Sequence, residues 1–170
     1  MKKYISAFVA GFGAGVLHVV PVAKSFACCL ILPVASFIAL LLDKKANPTY
    51  EKISMKKGAK FGLITGLYAA LFGTAFDLFI TLITKNNDIV SMLPELQKMI
   101  VAFPISEGLR TEVLNIFEHV RNDILQYGFS FTYTFSIIIN NTVINSIVGT
   151  LGGLVGAQVI NQRMINRDSI

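Results

Sequence analysis

Long apolar runs alternate with short charged segments along this chain. A membrane-spanning helix needs about 20 mostly apolar residues to cross a hydrocarbon core of about 30 Å. Four runs reach or approach that length, at about residues 4–22, 25–42, 61–83 and 129–161. The pattern predicts an all-α fold: a polytopic membrane protein with four transmembrane helices, forming a single membrane domain over residues 1–170.

The stretch between the third and fourth runs, residues 86–128, has a different pattern. Apolar residues recur at three- and four-residue spacing with charges between them, which is typical of amphipathic helices. One stripe comprises Leu109, Val113, Ile116, Phe117, Val120 and Ile124, and a shorter one comprises Leu93, Leu96, Met99, Ile100 and Phe103. Pro104 and Ser106 indicate the start of the longer helix, and Gly128 indicates its end. We expect this outside amphipathic segment to lie on the membrane surface, cap the bundle or contact a partner.

The fourth run is longer than a membrane requires. At about 1.5 Å per residue, a helix over residues 129–161 would reach about 50 Å. The aromatic and hydroxyl side chains of residues 129–135 indicate an interfacial belt at its outer end. A tilt of the helix, or a break near Gly152 and Gly153, would accommodate the length that exceeds the thickness of the hydrocarbon core.

Composition supports the membrane class and charge sets the orientation. Hydrophobic residues make up 54% of the chain and charged residues 15%, which is more apolar than an ordinary soluble domain. One side of the predicted spans is flanked by Lys2, Lys3, Lys44, Lys45, Lys52, Lys56, Lys57, Lys60, Arg163 and Arg167. The other side holds Lys24, Lys85, Lys98, Arg110 and Arg121, accompanied by six acidic residues. By the positive-inside rule, both termini are expected on the cytoplasmic side of the membrane.

This distribution also bears on partners. The net charge of +5 would suit nucleic acid, but the basic excess lies beside the span ends, where membrane topology and anionic lipid head groups explain it. We therefore expect the lipid bilayer as a partner and no nucleic acid.

The N-terminus allows a second interpretation. Lys2 and Lys3, an apolar stretch and then Ser25-Phe26-Ala27 resemble a signal peptide with a small-residue cleavage site. Cleavage after Ala27 would leave Cys28 and Cys29 at a new N-terminus, and the remaining spans would keep the same orientation.

Small residues share helix faces in three of the predicted spans. The glycines on these faces are Gly11 and Gly15 in the first span, Gly58, Gly62, Gly66 and Gly73 on or just before the third, and Gly149, Gly152 and Gly156 in the fourth. Such faces allow close backbone approach in lipid, where packing must drive helix association. We expect a compact four-helix bundle, with self-association or assembly into a larger complex as a possibility.

Polar residues lie on the same faces. If the faces converge, His18, Lys24, Asp77, Asn141 and Asn145 form an intramembrane cluster in the outer half of the bundle. Ionisable residues inside a membrane are costly and call for a partner, for which Lys24 is the first expectation for Asp77 and His18 the second. The cluster has two interpretations: interhelical hydrogen bonding that fixes the bundle, or a site that handles a proton or an ion.

Other chemistry finds little support. Cys28 and Cys29 with His18 could suggest a metal site, but adjacent cysteines on a helix point in different directions and lack ligand spacing. No Ser–His–acid arrangement can be placed, and the Gly-rich runs lack the strand-to-helix context of a phosphate loop. We expect no catalytic site, no cofactor and no metal.

Residues 53–62 read Ile-Ser-Met-Lys-Lys-Gly-Ala-Lys-Phe-Gly, a basic linker that leads into a Gly-rich third span. With the acidic amphipathic segment and a Gly-rich last span that ends in basic residues, the layout resembles a family of small bacterial four-span membrane proteins of unknown function. Because proline cannot donate a helical hydrogen bond, Pro21 predicts a tight hairpin between the first two runs. This hairpin and the Cys28-Cys29 pair depart from that family's pattern. The resemblance implies a four-span architecture and transfers no site residues.

These observations favour a non-enzymatic integral membrane protein, a structural or accessory component that packs through its Gly-rich helix faces. The alternative is a small transporter or channel that uses the Asp77, His18 and Lys24 cluster. A third possibility is interaction with lipid or the cell envelope through the outside helices.

Overall fold

The computed structural model describes residues 4–48 and 52–168, apart from the side chains of residues 27, 28 and 165–168. The described residues form helices and no β-strand, so the predicted all-α class is confirmed. The elements are α1 (Ile5–Leu17), α2 (Pro21–Lys24), a π-helical segment (Ala27–Ile31), α3 (Leu32–Ala46), α4 (Met55–Thr84), α5 (Asp88–Ala102), α6 (Glu107–Tyr127) and α7 (Phe131–Asp168). By length and composition, two helices within the described part of the chain could cross a membrane: α4, and residues Phe131–Met164 of α7.

Two prolines shape the first two predicted spans. The expected span 4–22 is not one helix, because α1 ends at Leu17, the residue whose carbonyl the ring of Pro21 would clash with. Pro33 cannot donate a helical hydrogen bond, and just before it the N–H of Ile31 bonds to the carbonyl of Phe26, five residues back, at 3.1 Å. The second expected span, 25–42, therefore begins in π-helical geometry and continues as α3 to Ala46.

The third and fourth predicted spans are each one continuous helix, longer than expected. α4 begins at Met55 rather than at residue 61, and α7 extends to Asp168 rather than to 161. α7 also runs unbroken through Gly152 and Gly153, so the prediction that a break at these glycines accommodates the length of the helix is wrong.

The chain divides into two compact units. The first, here called the bundle, comprises residues 1–76 and 138–170. The second, here called the hairpin unit, comprises residues 77–137. Both boundaries fall inside the long helices α4 and α7, rather than at the ends of the predicted outside segment 86–128, so each long helix contributes to both units.

The bundle is a ring of four helices joined through small residues. Gly11 and Gly15 of α1 lie against α4, and Gly152 and Gly156 of α7 lie against α3. α3 also packs on α1, and α4 packs on α7. Fully buried alanines occupy much of the interior: Ala7, Ala39, Ala69 and Ala157. The order of these contacts makes α1 parallel to α4 and α3 parallel to α7, with α4 antiparallel to α7.

The hairpin unit is organised by α5 and α6; the predicted start and end of α6 are close to those observed, and α5 contains most of the shorter predicted stripe. The Ser106 hydroxyl accepts a hydrogen bond from the Leu109 N–H at 3.4 Å, and Gly128 ends α6 with φ of 74°. A Cβ atom at Gly128 would lie 2.6 Å from the carbonyl oxygen of Leu82, so this turn requires glycine for space as well as for conformation. The core consists of Val120, Ile124 and Tyr133, with Leu78, Ile89, Val90 and Ile137 packed against it.

Candidate functional site

The closest helix contacts in the bundle are between α4 and α7. A Cβ atom at Gly58 would lie 2.7 Å from the Gly153 carbonyl oxygen, and one at Gly149 would lie 2.5 Å from the Gly62 carbonyl oxygen. Such distances leave no room for a side chain or a water molecule, so the two backbones touch directly at this crossing. The sequence prediction omitted Gly153. It is adjacent to Gly152, and the rotation of about 100° per residue lets the pair serve two helices, with Gly152 against α3 and Gly153 against α4.

Two predicted polar residues meet α4 at successive positions. His18 follows the last residue of α1 and packs over Gly73, with its Nδ1 3.2 Å from where a Cβ would stand. Asn141 of α7 donates a hydrogen bond from Nδ2 to the Oγ1 of Thr74 at 2.9 Å. The Thr74 partner was not predicted, although a hydroxyl one position from Gly73 could have suggested it.

Asn145 lies deeper, at the crossing of α4 and α7. The backbone carbonyl of Asn145 packs against Gly66, and the residue as a whole is 1% exposed. The side-chain amide nitrogen has no hydrogen-bond partner among the described residues, and the same holds for the Nε2 of His18. Asn145 is therefore a polar side chain in a dry helix crossing, where unsatisfied donors are costly.

Asp77 and Tyr133 belong to the hairpin unit. The Tyr133 hydroxyl donates to Oδ2 of Asp77 at 2.5 Å, and Tyr133 is 9% exposed. Tyr133 was expected only as one of several belt aromatics, so this partner of Asp77 was missed. Lys24 is the last residue of α2 and is exposed. The expected pairing of Asp77 with Lys24 or His18 stays a prediction.

A second set of polar contacts, which the sequence did not indicate, lies at the basic end of the bundle. Asp43 is 5% exposed, and its Oδ2 lies 2.6 Å from Nζ of Lys57, near the start of α4. Asn161 of α7 accepts from the Ile53 N–H at 2.8 Å and donates to the Ile53 carbonyl at 2.9 Å. These two contacts hold the start of α4 and the residue Ile53 just before it against α3 and α7. Lys57, which was counted as a basic flanking residue in the topology prediction, thus also has a structural role as the partner of Asp43.

The outer surface of the bundle is strongly apolar. Exposed large hydrophobic side chains include Phe8, Phe12 and Val16 on α1, Val34 and Ile38 on α3, Leu63, Leu67 and Leu71 on α4, and Ile139, Val143, Ile147, Leu151 and Val155 on α7. The buried positions include Ser36, Thr65 and Asn145, each no more than 1% exposed, together with alanines and a few large residues such as Leu32 and Leu40. The bundle therefore exposes a larger contiguous set of large apolar side chains than a water-soluble domain ordinarily does.

The cysteine hypothesis is tested only in part. Cys29 has an exposed, free thiol, and the side chain of Cys28 lies outside the described residues. Among the side chains that the structure describes, no three metal-ligating groups come together.

Comparison with known protein families, with curated proteins and with solved structures finds no match to this chain.

Proposed function

We propose that this chain is an integral protein of the bacterial inner membrane that crosses the bilayer four times and has both termini in the cytoplasm. In this proposal it is a non-enzymatic structural or accessory component of the membrane, either alone, as a homo-oligomer or in a larger complex. Its resemblance to the small four-span bacterial family is part of the same proposal.

The observation that carries the proposal is the apolar outer surface of the bundle around an interior rich in small residues. Exposed Phe, Leu, Ile and Val side chains surround an interior in which Gly, Ala, Ser, Thr and Asn occupy many positions, beside a few larger residues such as Leu32, Leu40 and Phe61. In water such a surface would drive aggregation. In lipid the surface matches its solvent, and close packing of small residues is the force that assembles helices.

Helix lengths and directions are consistent with four crossings. α4 and the apolar part of α7 are 30 and 34 residues long, enough for a core of about 30 Å. α1 rises only about 20 Å, so the proposal requires residues 18–24 to complete its crossing. The π-helical segment and α3 together provide 20 residues of continuous helix, or about 30 Å. The parallel and antiparallel contacts are those of a chain that alternates direction at each crossing.

Topology mapping tests this proposal. We would introduce single cysteines at Ser54 and Ser91, both exposed, in a chain with Cys28 and Cys29 replaced by alanine. In intact cells, an impermeant thiol reagent should label position 91 and not position 54, and permeabilisation should make position 54 reactive. Labelling of both positions in intact cells, or release of the chain from membranes by carbonate, would contradict the proposal.

The transporter alternative has one observation in its favour. Asn145 presents an unpartnered amide in the bundle interior, and Asn141 bonds to Thr74 nearby along α4 and α7. Against it stands the contact of Gly58 and Gly62 with Gly149 and Gly153, which leaves no water path between α4 and α7 at that level. Dry contact of this kind favours the structural role.

Water access at position 77 separates the two functions. A cysteine in place of Asp77, in the same cysteine-free chain, should be protected from the impermeant reagent while position 91 is labelled. Ready labelling at 77 would show an aqueous path to this residue and would favour transport.

A further inference from the structure

An apolar groove with an arginine at its end runs along the outside of the bundle between α3 and α7. Its volume is about 390 Å³. It is lined by Pro33, Val34 and Phe37 of α3 and by residues of α7 that include Gly152, Val155 and Gly156. The two helices approach closely here: a Cβ atom at Gly152 would lie 2.5 Å from Cα of Pro33.

The length of the groove matches one leaflet of a membrane. The α7 residues that line it extend from Leu151 to Arg163, a rise of about 18 Å at about 1.5 Å per residue. Half of a hydrocarbon core of about 30 Å is about 15 Å. A groove of this length accommodates one acyl chain of one leaflet.

The charged end of the groove defines the rest of the occupant. Arg163 is exposed and closes the groove at the basic end of the bundle. A guanidinium binds phosphate oxygens in a bidentate manner, and basic pockets between helices on the cytoplasmic side of a membrane are suited to anionic head groups.

We infer that this groove binds one anionic phospholipid of the cytoplasmic leaflet, with an acyl chain along Gly152 and Gly156 and its phosphate at Arg163. The inference rests on the proposed membrane location. A second groove serves as an internal comparison: it lies between α1 and α3, has a volume of about 470 Å³, and is lined entirely by apolar residues and Gly13. It has the shape for a chain and no group for a phosphate, so it is not assigned this ligand.

Titration of the full chain in neutral detergent with phosphatidylglycerol or phosphatidylcholine, followed by native mass spectrometry, tests the site. We expect one phosphatidylglycerol to bind at least about fivefold more tightly than phosphatidylcholine, because one basic group near an anionic head group contributes about that factor. Arg163→Gln should abolish the preference. Lys60→Gln should keep the preference for phosphatidylglycerol. This substitution removes the same amount of charge at the basic end, but Nζ of Lys60 lies over the ring of Tyr4, 5.6 Å from its centroid, and not in the groove.

A second pair of variants tests the acyl-chain part. Val155→Trp should weaken phosphatidylglycerol binding by filling the groove, whereas Ile147→Trp, exposed on the same helix, should not. Equal affinity for the two lipids, equal losses in Arg163→Gln and Lys60→Gln, or displacement of the lipid by glycerol phosphate would each overturn the inference. If carbonate leaves the chain in the membrane and the lipid preference is absent, the groove assignment alone fails. If carbonate releases it, the proposed function fails as well.

Discussion

The bundle and the helices α5 and α6 of the hairpin unit are packed in different ways. The bundle buries many small residues and exposes large apolar side chains such as Ile147, which is 54% exposed. The hairpin unit buries Val120, Ile124 and Tyr133, and on α5 and α6 its exposed apolar residues alternate with charges. The parts of α4 and α7 that belong to the hairpin unit expose large apolar side chains, as the bundle does. The uniformly apolar surface is suited to lipid, and the mixed surface of α5 and α6 is suited to contact with water.

The difference identifies what stabilises each unit. Burial of large apolar side chains stabilises a fold in water, at about 25 cal/mol per Å² removed from solvent. In lipid that term vanishes, and backbone proximity and interhelical hydrogen bonds remain. Substitutions of the same chemical kind should therefore have different effects in the two units.

The largest effect is expected from a cavity in the hairpin unit. Ile124→Ala removes a side chain that is 0% exposed and should destabilise this unit by about 2–5 kcal/mol. Hydrogen exchange should accelerate in α5 and α6 while α1 and α3 stay protected. Ile116→Ala, on the same helix at 54% exposure, is the matched control and should leave exchange unchanged. Unchanged exchange of α5 and α6 in Ile124→Ala would show that this cluster does not hold the unit together.

A charge on the bundle surface should cost nearly as much. Ile147→Asp would place a carboxylate near the middle of a membrane helix, at a cost of about 3 kcal/mol, or a roughly hundredfold shift away from the inserted form. Leu125→Asp, exposed at 42% on α6, should insert normally. Carbonate extraction of both variants measures the inserted fraction, and equal extraction would remove the contrast between the two units.

The glycine crossing should show an intermediate effect. Gly62→Ala would push α4 away from Gly149 and Gly153 and lower the free energy of unfolding by about 1–3 kcal/mol. A Cβ atom at Gly13 meets no other atom within 4 Å, so Gly13→Ala should be neutral or slightly stabilising. The thermal unfolding midpoints of the two variants in the same detergent provide the comparison. Equal midpoints would exclude backbone contact as a source of bundle stability.

The smallest effect is expected at the hydrogen bond between Tyr133 and Asp77. Tyr133→Phe removes the hydroxyl donor and should destabilise the hairpin unit by about 1 kcal/mol, while it keeps the ring in the core. Tyr127→Phe, 63% exposed, is the control. Thermal unfolding monitored by tyrosine absorbance would measure both. A loss as large as that of Ile124→Ala would mean that the hydrogen bond, rather than apolar burial, dominates this unit.

Local sequence signals predicted the amphipathic helix α6 well. The stripe from Leu109 to Ile124 predicted the helix, and Ser106 and Gly128 predicted its ends, because capping and left-handed geometry depend on local residue types. The end of α1 was predicted less well. The apolar run extended to about residue 22 and a turn was expected near Pro21, but the ring of Pro21 acts on the carbonyl of Leu17, so the helix ends four residues before the proline.

Long-range partners could not be predicted in the same way. Asp77 with Tyr133, Asp43 with Lys57, and Asn161 with Ile53 each join residues distant in sequence or on different helices. A helix face made of small residues shows where another helix can approach, but it does not show which helix packs there or at which level along the axis. The adjacent glycines Gly152 and Gly153 illustrate this, since only the packed structure shows that the first contacts α3 and the second contacts α4.

Nitroxide accessibility would show whether lipid or water surrounds the bundle. Single spin labels at Ile147 of α7 and at Leu125 of α6 would be examined in the reconstituted full chain, with oxygen as the apolar relaxation agent and a nickel chelate as the polar one. We predict that oxygen relaxes the label at 147 and nickel does not, with the reverse order at 125. Relaxation by nickel at 147 as strong as that at 125 would show that water surrounds the bundle and would exclude a lipid-facing surface.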